Sequence, residues 1–113
     1  MKALSIQQPF ASQIISGEKD VGFRTWPTKY RGELLIVSSA RPRVEGLLSG
    51  HALGTVSIVD CRRASAREIR KYHLDDDDVQ ALWCWILRDP KPLAKPFPVK
   101  GRLGLYEVQY PVQ

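Results

Sequence analysis

The chain has 113 residues, 43% of them hydrophobic and 26% charged, with a net charge of +5. That length accommodates one compact core and excludes two, and the composition excludes a disordered chain. No window approaches the roughly 18 apolar residues of a membrane helix, and the glutamines after Ile6 arrive too early for a secretory signal. Cys61 and Cys84 have no CxxC spacing. They read as buried thiols in a reducing cytoplasm, so no disulfide, no metal, no cofactor and no membrane partner is expected. Four of the twelve acidic residues fall in one run, Asp75 to Asp78, which leaves the rest of the chain with an excess of nine positive charges. A surface of that kind favours a polyanion.

Taken in order, Lys2 to Ile6 predicts a first strand. Pro9 suits the first position of a helix whose face carries Phe10, Ile14 and Ile15, and Gly17 suits its end. Asp20 to Arg24 predicts a brief strand, followed by a loop over Thr25 to Arg31. Glu33 to Ser39 is a continuous apolar run of the kind buried on both faces. Residues 43–49 predict a weak helical turn broken by Gly46, and Leu53 to Cys61 a further strand. Ser65 and Glu68 form the S-x-x-E pattern that opens a short helix ending near Tyr72. The four aspartates belong in a loop or at a helix start. Ala81 to Leu87 predicts a strand with Trp83 and Trp85 on one face. Asp89 to Pro98, with four of the eight prolines, predicts an irregular connection. Arg102 to Tyr110 predicts the last strand. The sum is an α+β, mainly β chain, 1–113, with five to six strands rolled into a small barrel and two to three short helices. Parallel βαβ architecture fits it poorly.

The stretch from Gly17 to Gly32 concentrates the chemistry. Lys19, Arg24, Lys29 and Arg31 alternate with Trp26 and Tyr30, and cations between flat rings suit phosphates and base faces. Set against this is a solvated basic loop whose Trp26 plugs the barrel end and whose Arg24 pairs with Asp20 or Glu33. His51 and His73 lie too far apart for a zinc pattern, and the aspartate run lacks the spacing of a calcium loop. Gly101-Arg102-Leu103-Gly104 imitates a GxxG loop without the paired helices that such a loop needs. No nucleophile motif is present. Lys19, between a helix end and a strand at the barrel mouth, would lose solvation and could act as a base.

Leu4 to Lys19 (LSIQQPFASQIISGEK), followed by Arg24, Trp26, Lys29-Tyr30-Arg31-Gly32 and Leu34-Leu35-Ile36, resembles the ASCH domain (activating signal cointegrator homology). That family is a relative of the PUA RNA-binding fold. Leu53 to Cys61 and Phe97 to Gly101 resemble its middle strand and its final segment. The resemblance implies a PUA-like barrel and a partner that is RNA or single-stranded nucleic acid, with DNA as a further option. Small bacterial relatives hydrolyse acetylated cytidine with a lysine, a threonine and a distant glutamate. Lys19 matches the lysine, but the threonine falls at Gly22, where the family also carries glutamate, and Asp20 stands where threonine is common. Glycine has no nucleophile to activate, and the chain looks more like the longer, cointegrator-like branch. The expected function is therefore nucleic-acid binding through a basic, aromatic-lined cleft. Lys19, Arg24 and Arg31 would meet phosphates, with Lys29, Arg41 and Lys100 as a rim. Trp26 or Tyr30 would stack on a base, and Gln8 and Ser39 would read its edge. The alternative is a ribonuclease or amidohydrolase with Lys19 as base, assisted by Tyr30 or Ser38. A third reading is a protein-interaction domain using Trp83, Trp85 or the proline-rich segment.

Overall fold

An unbroken apolar run in the middle of a sheet has to find cover on two sides, and the fold answers that demand. The computed structural model describes residues 1–72 and 82–110. In chain order the elements are β1 (Lys2–Ile6), α1 (Phe10–Ser16), β2 (Val21–Arg24), β3 (Gly32–Ser38), β4 (His51–Arg63), α2 (Ala66–Lys71), β5 (Trp83–Pro98) and β6 (Leu105–Glu107). The six strands form one curled sheet, a half-barrel of order β2-β5-β4-β3-β1-β6. From β3, Leu34 and Ile36 face a cluster with Leu4, Ile14, Val56 and Trp85. Leu35 and Val37 face the opposite cluster with Ala3, Ala52 and Tyr106. All four are fully buried, each contributing about 1.5–3 kcal/mol of hydrophobic stabilisation.

Helix α1 covers the first of these clusters with Ala11, Ile14 and Ile15. Gly17 closes it at φ 87°, donating its N–H to the Ile14 carbonyl, a conformation in which a side chain would be strained. Pro9 sits one position earlier than expected, as the N-cap. The S-x-x-E reading of α2 holds in full, since Ser65 Oγ accepts from the Glu68 N–H and the Glu68 carboxylate accepts from the Ser65 N–H. Ile69 anchors α2 in a third cluster with Val21, Leu82 and Cys84.

Four differences from the sequence reading have physical causes. Strand β1 pairs parallel with β3, although the other four pairings are antiparallel; α1 and β2 together supply the crossover. The expected strand at 81–87 and irregular connection at 89–98 are one 16-residue strand, β5. Its prolines survive because β2 pairs only with Trp83 to Ile86, so that beyond Ile86 the ladder with β4 occupies one side and the missing N–H groups cost nothing on the other. Gly54 lets the two backbones close, since a Cβ there would lie 2.5 Å from the Lys91 carbonyl oxygen. The last strand is only three residues long, because Gly104 at φ 69° turns the preceding segment away from the sheet. Residues 43–49 make a turn and no helix. The aspartate run and His73 lie outside the described residues.

Candidate functional site

The half-barrel leaves an open seam. β2 is one edge of the sheet and β1 lies next to the other, yet curling brings them face to face. Arg24, at the end of β2, spans the gap, its Nη2 donating to the Ser5 carbonyl at 3.1 Å. Around this bridge lies a cavity of about 1060 Å³. Its walls come from the end of β1 and the start of α1, from residues 19–26, from Ser39 and Ala40, from Trp85 and Leu87 on β5, and from the loop 100–104.

Four cations line it: Lys19, Arg24, Lys100 and Arg102. No aspartate or glutamate does so among the described residues. The Lys19 Nζ lies 4.5 Å from the Phe10 ring centroid and 5.6 Å from those of Phe23 and Tyr72, within the range of cation–π attraction. Burial pushes its ammonium below the ordinary lysine range, because a charge surrounded by rings loses water. Burial also lowers Arg24. The Arg24 Nε is buried without a hydrogen-bond partner, the arrangement of a donor that waits for an acceptor. Neither Asp20 nor Glu33 forms an ion pair with it; Asp20 pairs instead with Arg88 at 3.7 Å.

Trp26 is held from the core outward. Its carbonyl accepts from Trp85 Nε1 at 3.2 Å, and its ring meets Trp85 edge-on at 4.8 Å. The Arg24 guanidinium lies 5.8 Å from the Trp26 ring. The ring is therefore a fixed, half-buried wall of the cavity. On β2, Gly22 opens to the same space, and a Cβ there would meet nothing within 4 Å.

Of the residues singled out from sequence, Lys19, Arg24, Trp26, Ser39 and Lys100 line the cavity. Lys29, Tyr30, Arg31, Gln8 and Arg41 do not. Gln8 is buried, with its amide donating to Ser12 Oγ and to the Leu48 carbonyl. The Tyr30 hydroxyl donates to the Glu33 carbonyl. Arg31 caps the carbonyls of Thr28 and Tyr30 and lies 3.8 Å from Asp60. Ser38 is buried and bonded to the backbone of His51. Phe10, read on one helix face with Ile14 and Ile15, is 45% exposed at the cavity. The sequence reading missed Phe23, Arg102 and Leu103 as lining residues. The alternation of β2 hints at Phe23, and Arg102 and Leu103 fall inside the GxxG-like tract, set aside for want of paired helices.

Among the described residues no group of three or more His, Cys, Asp or Glu side chains is placed to hold a metal. No helix among them is long and apolar enough to cross a membrane. Trp85 is core, while Trp83 is half-buried beneath the Arg63 guanidinium, 4.4 Å from its ring.

Comparison with known proteins adds the following. The ASCH domain family model matches residues 4–97. The human protein "Activating signal cointegrator 1" is 27% identical over 93% of this chain, and its mouse counterpart is 26% identical over the same share. In both cases the match spans only 22% of the relative's own length. The crystal structure of ASCH from Zymomonas mobilis shares the fold, with a TM-score of 0.69 at 17% identity, covering 96% of this chain and 87% of that one. A mutant of that protein gives 0.68 at 16% identity, covering 96% and 90%.

Proposed function

Because the chain belongs to the ASCH domain family, we propose that its seam cavity is a nucleic-acid site that takes a nucleotide of an RNA or single-stranded segment. The observation that carries this reading is the charge of the walls, with four cations, several aromatic rings and, among the described residues, no carboxylate. Arg24 Nε, buried and without a partner, supplies the donor for a phosphate oxygen, and a guanidinium fork suits that geometry. Lys19 adds charge from one wall, and Lys100 and Arg102 add it from the loop opposite. Trp26, fixed on Trp85, offers a stacking surface worth about 1–3 kcal/mol per base. Ser39, on the cavity wall, would offer its hydroxyl to a base edge. Lys29, Tyr30, Arg31 and Arg41 would serve only strand beyond the cavity.

The test is a titration of short single- and double-stranded RNA and DNA at two salt concentrations. Binding should weaken with salt, and Lys19→Ala and Arg24→Ala should each weaken it and lower the logarithmic slope by about 0.7 for a single strand. Arg31→Ala should cost less than either. Unchanged affinity in both cavity variants would sink the assignment.

A second reading keeps one observation in its favour. Lys19, its pKa lowered by burial, has moved in the direction that a general base at neutral pH requires. A hydrolase would then act on RNA or a modified nucleoside, without Tyr30 or Ser38, whose hydroxyls are bonded elsewhere. Products in the same titration tubes that disappear with Lys19→Ala would replace the binding module with an enzyme.

A further inference from the structure

The loop between β5 and β6 carries a side chain that the protein itself does not use. Leu103 is 98% exposed, so folding gains nothing from its apolar surface. A lone exposed leucine is ordinary on a protein surface, but the location of this one is not. It lines the basic cavity, next in sequence to Arg102 and three residues from Lys100. Among the described residues four large hydrophobic side chains are exposed, Phe10, Leu48, Val59 and Leu103, and two of them, Phe10 and Leu103, lie on this one cavity.

The foot of the loop packs closely on the sheet. Gly101 sits close against β1, where a Cβ would come within 3.0 Å of Ser5 Oγ, and that hydroxyl is in turn bonded to the Tyr106 hydroxyl at 2.7 Å. Gly104 at φ 69° returns the chain to the sheet. The foot of the loop therefore packs on β1, its two cations stand on the cavity wall, and its leucine is turned to solvent.

Resting on the function proposed above, we infer that Leu103 is a wedge. It enters the base stack beside a nucleotide that has swung into the cavity, while Lys100 and Arg102 hold the flanking phosphates. An apolar side chain inserted between bases replaces part of the stacking that extrusion loses, and the vacated step hides the leucine from water. The partner is accordingly a stacked nucleic acid, a hairpin or duplex end from which one nucleotide is withdrawn, and not merely a strand that is already unstacked.

The experiment uses RNA and DNA hairpins carrying 2-aminopurine in the stem beside the extruded nucleotide, where it brightens on losing its stacked neighbour to an aliphatic side chain, with the same label in an unstructured strand. The chain should raise the hairpin fluorescence severalfold on binding. Leu103→Ser should retain salt-sensitive hairpin binding, weakened, while the fluorescence rise is lost, and Leu103→Met should restore the rise. So exposed a position leaves the fold untouched, and a melting curve checks this. Hairpin binding without a rise, or an equal rise with Leu103→Ser, overturns the wedge and leaves the cavity assignment standing. A chain that binds no probe overturns the proposed function and the wedge with it.

Discussion

Gly22 faces the cavity with no atom near the place where its side chain would be, and so tests whether a ligand occupies that space. A strand position tolerates most residues better than glycine, so the fold should accept Gly22→Glu. A carboxylate there would oppose a phosphate held by Arg24, and affinity for a short RNA should fall about tenfold, or about 1.4 kcal/mol. Gly22→Ser should bind as the parent chain does. Equal affinity in Gly22→Glu would mean that the ligand never enters the seam. Residues of this scale were legible where the chain stayed in one place. Lys19, Arg24 and Trp26 share a short stretch, and the mixture of charge and ring announced them. Arg31 and Tyr30 shared the same signal but turn outward after Trp26, to Asp60 and the Glu33 carbonyl, and composition has no term for direction. Leu103 showed only as part of a GxxG-like tract, because its place on the cavity comes from strands a hundred residues away in sequence.

Among the elements, α2 is the one held by polar contacts as much as by its apolar face. Glu68 receives both Arg62 guanidinium nitrogens, at 2.7 and 2.9 Å, together with the Ser65 N–H and the Cys84 thiol. These contacts, the Arg62 bond foremost, hold its carboxyl down at about 2, against an ordinary 4.5. The same cluster, after burial, pushes the Cys84 thiol up to about 12. A carboxylate depressed in the folded state contributes stability that is complete above about pH 4.5 and is lost as pH falls toward about 2. Acid unfolding followed by circular dichroism should therefore steepen across that window, and Glu68→Gln should flatten it. Identical acid curves would dismiss the cluster as a stabiliser. The S-x-x-E pattern made the helix start visible from sequence, because capping is local. The 16-residue β5 was not visible. A proline read from sequence alone is a breaker, and whether it breaks a strand depends on which side its neighbour lies, a fact of the assembled sheet.

Over the whole molecule the sequence conveyed the class of fold, a mainly β barrel of five to six strands with two to three short helices, because apolar runs and glycines are distributed along the chain in the sheet's own rhythm. The place where the barrel fails to close was not legible, and that seam makes the site. β1 and β6 lie side by side, with the Met1 ammonium donating to the Val108 carbonyl and both Met1 and Lys2 paired to Glu107. The cavity accordingly draws on residues from Leu4 to Gly104. A site spread that widely is destroyed by any global opening, so occupancy and folding are one equilibrium. A ligand at a hundred times its dissociation constant adds about 2.7 kcal/mol to the unfolding free energy, which for a chain of this size raises the melting temperature by roughly 10 °C. Melting curves across a panel of nucleotides and oligonucleotides thus double as a search for the natural ligand, with no label and no assumed chemistry. A compound that binds elsewhere would shift the Arg24→Ala variant as far as the parent. The open seam makes the protein its own indicator.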